Sequence, residues 1–100
     1  MTERLSKDTF SEHINTKFRI LDKESPTVIE AQLVEVEEYR SSEKIQQFSL
    51  LFKGPNEPLL PQKIYSIEHG SMGDFDLFIV PIAADETSAS YEAVFCRLCD

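Results

Sequence analysis

The feature that most constrains this chain is a two-residue apolar rhythm recurring between turn signals, clearest across residues 48–80. In Phe48-Ser-Leu50-Leu-Phe52, residues 48, 50 and 52 share one face of an extended strand, with Ser49 and Leu51 opposite. Gly54-Pro55 ends that strand, because proline cannot donate to a ladder and glycine tolerates positive φ. Pro58 and Pro61 keep the following connection extended and non-helical. Pairing resumes at Lys63-Ile-Tyr-Ser-Ile-Glu68, where Ile64 and Ile67 cannot share a face in a strict period of two. A bulge, or a strand apolar on both sides, is expected there. His69-Gly-Ser-Met-Gly73 reads as a turn, after which Phe75, Leu77 and Ile79 alternate with Asp74, Asp76 and Phe78.

Elsewhere the same rhythm returns in shorter pieces. Residues 1–15 read as a short N-terminal helix, with Thr9-Phe-Ser-Glu12 as a capping box and Phe10 and Ile14 forming one apolar edge. Residues 16–21 read as a half-buried strand through Phe18 and Ile20. Residues 27–39 are ambiguous: Ile29, Leu33 and Val36 fit a helical stripe, whereas Ile29, Ala31 and Leu33 alternate and the segment is rich in β-branched residues. Residues 81–90 are mostly small and polar, so a loop is expected, followed by a last strand over residues 91–98. The predicted fold is mainly all-β: a six-stranded antiparallel barrel or tight sandwich with one short N-terminal helix. One hundred residues form a single domain, 1–100, with Phe18, Ile20, Leu33, Phe48, Leu50, Phe52, Leu77, Ile79 and Phe95 as its core.

Charge and composition exclude several function classes. Eighteen acidic against ten basic residues give a formal charge of −8, the wrong sign for a nucleic-acid or anionic-membrane surface. No apolar run approaches the roughly 20 residues that span a bilayer, and the start lacks a signal-peptide core. With two cysteines and no export signal, a cytoplasmic protein with reduced thiols is expected.

FSLLFKGP (residues 48–55), PLLPQKIYSIEH (58–69), DLFIVPI (76–82) and YEAVF (91–95) follow one another in a set order and spacing. In these segments the chain resembles a family of small uncharacterised bacterial proteins, a domain of unknown function of about this length. The resemblance covers residues 48–97. It implies no activity, cofactor or catalytic residue, and favours a strand over residues 27–39. A loose association of that family with phage-tail-collar-like genes implies a role in assembly. Family members often carry Asn before the residue matching Arg97; Cys96 departs from this, against a family-wide role for its thiol.

No residue pattern supports chemistry. Cys96-Arg-Leu-Cys99 is a C-x-x-C without a second ligand pair for zinc, placed at a strand end rather than at a helix start. On a regular strand the two thiols face opposite ways, so two unrelated free cysteines are expected. Glu68, His69, Asp74 and Asp76 gather near one hairpin, where solvent-facing acids are far commoner than a cation site. Ser71, His69 and Asp74 lie too close along one turn to make a triad, and His13 is distant in sequence from His69. Phosphate-cradling glycine motifs are absent. No catalytic, cofactor or metal residue is therefore assigned. The expected function is a non-enzymatic protein-interaction or assembly module, partnered by another protein or by itself, through a sheet edge or the loop of residues 54–62. Leu59 and Leu60 are its candidate contact residues: they either plug the barrel end or face out as an apolar patch. The alternative is a small-ligand-binding β-barrel.

Overall fold

The computed structural model describes residues 7–24, 27–41, 45–56 and 60–98, with side chains described at all of these except residues 7, 39–41, 45–46 and 96–98. The described elements are a helix α1 (Lys7–Ser11) and six strands: β1 (Lys17–Leu21), β2 (Val28–Ser41), β3 (Ile45–Gly54), β4 (Lys63–His69), β5 (Gly73–Ala84) and β6 (Ala89–Leu98). The strands close into an antiparallel barrel in the order β1-β2-β3-β6-β5-β4. Closure is the physical answer to the edge problem, since each strand of a ring has a neighbour on both sides for at least part of its length.

Alternation decides what points inward. Phe18 and Ile20, Phe48, Leu50 and Phe52, Tyr65 and Ile67, Phe75, Leu77 and Ile79, and Tyr91 and Ala93 are all buried, while the residues between them are exposed or partly exposed, apart from the buried Ser49. Phe10 of α1 is also fully buried. Its ring lies 6.4 Å from Phe18, 5.9 Å from Phe48, 5.7 Å from Phe75 and 6.0 Å from Phe95. A five-residue helix is unstable alone, and this aromatic cluster is what holds it.

Bulges explain the irregular stretches of sequence. The β2–β3 register shifts between Leu33 and Glu35, leaving Val34 as the extra residue. Before that point Ile29, Ala31 and Leu33 face the core; after it the even-numbered Val36 packs against the core. The extra residue flips the inward face, and this imitates helical spacing inside a continuous strand.

Several expectations are corrected. Thr9 lies inside α1 rather than capping it, so the Thr9–Glu12 capping box does not form; the Glu12 amide donates to the carbonyls of Asp8 and Thr9. Of the two alternatives for β4, the strand apolar on both sides is the one found: its register with β5 is unbroken from Lys63↔Ile79 to His69↔Gly73, and Ile64 faces out at 57 % exposure while Tyr65 and Ile67 are buried. Residues 81–84, read as loop, complete β5, and only residues 85–88 form the connection. Pro81 is accommodated because a register shift follows it at Ile82. In the turn, the Asp85 carboxylate accepts hydrogen bonds from the Thr87 amide at 2.9 Å and the Ser88 amide at 2.8 Å. Those bonds hold the carboxyl below its ordinary pKa. Phe95, placed in the core by its spacing, is only half-buried and packs at the margin, stacked on Phe48 at 5.1 Å.

Candidate functional site

The barrel has two ends and an outer wall, and each holds residues that the sequence singled out. At the end where the β1–β2, β3–β4 and β5–β6 connections meet, Leu60 is buried in the core and its amide donates to the Tyr91 hydroxyl at 3.1 Å. Leu60 therefore fills the barrel end, while Leu59 lies outside the described residues. The Tyr65 hydroxyl donates to the Pro61 carbonyl, tying the same loop to β4. Burial raises the pKa of Tyr65.

At the other end His69 and His13 meet, with ring centroids 4.7 Å apart. The His69 ring also packs on Phe18 at 4.2 Å. Its Nδ1 accepts from the Ser71 and Met72 amides at 3.1 Å each, so the proton of the neutral ring sits on Nε2. Nε2 then donates to Thr16 Oγ1 at 3.0 Å, whose own proton goes to the His13 carbonyl at 2.6 Å. One imidazole thus joins the β4–β5 turn to the segment that carries α1. Burial first, and the neighbouring His13 second, lower the pKa of His69.

The acidic residues near that hairpin do not converge. Glu68 pairs with Arg19 at 3.2 Å and Asp76 with Lys23 at 3.1 Å, on the outer wall, while the His69 ring is turned towards the barrel mouth. Among the described residues no group of three or more His, Cys, Asp or Glu side chains is placed to hold a metal ion. The β5–β6 strands carry Cys96 only as backbone; its side chain and Cys99 lie outside the described residues.

The outer wall carries a feature that sequence reasoning did not single out. Ile64 and Phe78 lie directly opposite each other on β4 and β5, 57 % and 47 % exposed. The β5–β6 ladder ends at Val80↔Glu92, and Val94, itself 55 % exposed, lies just beyond it on β6. Ile64 and Phe78 thus form an exposed apolar pair across two strands, with Val94 exposed on the third. Beside it an open cleft of about 610 Å³ is lined by Ile64, Phe78, Gln62 and a charged cluster. In that cluster Lys63 bridges Asp22 at 2.7 Å and Glu24 at 3.1 Å, and the Asp22 hydrogen bond leads in raising its pKa. Three carboxylates face two lysines there, so the rim is acidic.

Fold and surface together define a small closed antiparallel barrel with an aromatic-filled interior and its distinctive features on the outside. A family model described as a domain of unknown function, DUF6916, matches residues 5–95, and the chain belongs to that family. No curated protein and no solved structure matches the chain.

Proposed function

We propose that this domain is a cytoplasmic protein-interaction module that acts through the outer wall of β4, β5 and β6. The observation that carries this reading is the cross-strand pair Ile64 and Phe78, with Val94 on β6 beyond them: three large apolar side chains, each about half exposed on the outer wall. Single exposed apolar residues are ordinary, but adjacent ones framed by charge mark contact surfaces. The packed interior argues against the small-ligand alternative: Phe10, Phe18, Phe48, Phe52, Tyr65 and Tyr91 fill the space such a ligand would need. The acidic rim and the formal charge of −8 favour a basic partner over a second copy of the same chain. Assembly of a phage-tail-like particle is one setting for such a contact, suggested by the sequence resemblance.

A photo-crosslinking side chain at position 78, in the cells that make the protein, tests this reading. The expected result is a discrete crosslinked protein, lost when Ile64→Asp is added and absent when the crosslinker sits at the exposed position 37 of β2. Equal crosslinking at both positions, or none at position 78, overturns it.

A further inference from the structure

We infer that this wall receives an extended, basic segment of another protein, which adds as a strand to the part of β6 that β5 leaves open; this rests on the binding reading above. The β5–β6 ladder runs only from Val80↔Glu92 to Ala84↔Ala89. Beyond it β6 continues to Leu98 paired with β3, and the first half of β5 is paired with β4. Among the described residues, no strand pairs with the β5-facing side of residues 93–98 or the β6-facing side of residues 75–79. Over these residues the two strands present backbone donors and acceptors that have no strand partner among the described residues. Such groups are best satisfied by another extended backbone, the chemistry of strand addition.

The side chains at the gap suit an alternating segment. On the outside, Phe78 and Val94 flank it; on the inside lies half-buried Phe95, itself backed by the fully buried Phe10 ring. An incoming strand would place alternate residues against Phe78 and Val94 on one side and Phe95 on the other, and residues 93–98 offer a length of about 20 Å at ~3.3 Å per residue. Charge selects the occupant. Two copies, each at −8, repel when brought edge to edge, whereas lysines and arginines on the incoming segment are attracted.

The test titrates the full-length ¹⁵N-labelled protein with a short peptide alternating lysine and valine. Controls are the same peptide N-methylated at alternate amides, which cannot pair, and its glutamate–valine analogue. Expected are shifts and slowed amide exchange in residues 93–98, with binding weakened about tenfold or more by N-methylation and abolished by the acidic sequence. Binding indifferent to N-methylation yet lost in Phe78→Asp overturns strand addition and leaves the contact wall standing. Slowed exchange in residues 93–98 that is unchanged by both Phe78→Asp and Ile64→Asp supports strand addition and overturns the Ile64–Phe78 pair as the contact. No binding by any peptide, or edge-to-edge dimerisation of the protein alone, overturns the inference.

Discussion

The two ends of the barrel are stopped by different chemistry. One is filled by Leu60, fixed through a tyrosine hydroxyl; the other is filled by Phe10, and its neighbouring turn is fixed through an imidazole. A phenol keeps its proton well above neutral pH, whereas an imidazole changes charge close to it. The same structural task, closing a short barrel, is therefore insensitive to pH at one end and sensitive at the other.

The largest expected effect comes from emptying the Phe10 end. Phe10→Ala should destabilise the domain by about 3 to 5 kcal/mol, because the ring contacts four other phenylalanines and leaves a cavity. Urea unfolding measures this, and a loss below about 1 kcal/mol would show that α1 does not seal its end. Tyr91→Phe is the matching change at the Leu60 end. It leaves the Leu60 amide without its acceptor and should cost about 1 to 3 kcal/mol, with the same loss at pH 5 and pH 7.5.

Next comes the pH contrast itself. His69 has its folded-state pKa lowered below the ordinary value of about 6.5, so the unfolded chain binds the proton more tightly. Its contribution is full above that ordinary value and is lost as pH falls through the lower folded value. His69→Asn keeps an acceptor for the Ser71 and Met72 amides but cannot titrate, so its urea midpoint should vary less between pH 7.5 and pH 5 than that of the wild type. Equal pH dependence would place the sensitivity elsewhere. The smallest effect belongs to Asp85→Asn, which preserves the turn acceptor. Asp85 stabilises above its ordinary value near 3.8 and loses this as pH falls through its lowered folded value. The variant should lose this small contribution at neutral pH and converge on the wild type in the acid limb of an unfolding curve.

Much of this fold was legible in the sequence, since a period of two between turn residues dictates six strands, but barrel and sandwich share that pattern and only the β1–β4 pairing that closes the ring decides between them. The misreadings have local causes. A bulge at Val34 mixed two phases in one strand, and the small residues Ala83 and Ala84 concealed the end of β5. Tyr65 was hidden by Ile64, because adjacent apolar residues do not say which one faces inward. The contacts that matter for function were less legible. His13 and His69 meet only because the barrel closes, and Ile64 and Phe78 become an exposed pair only once β4 and β5 are in register. Leu59 and Leu60 stood out as adjacent leucines, yet Leu60 points inward to the plug.

The seam between β1 and β4 has a kinetic consequence. It consists of Arg19↔Glu68, Ile20↔Ile67 and Leu21↔Ser66, residues about half the chain apart, whereas β3 and β6 share ten consecutive pairs. Joining such distant segments costs loop entropy before any contact repays it, so the domain should refold in milliseconds to seconds rather than microseconds. With few pairs to reward early closure, the seam should form after the transition state. Weakening it with Ile67→Val would then quicken unfolding and leave the refolding rate almost unchanged.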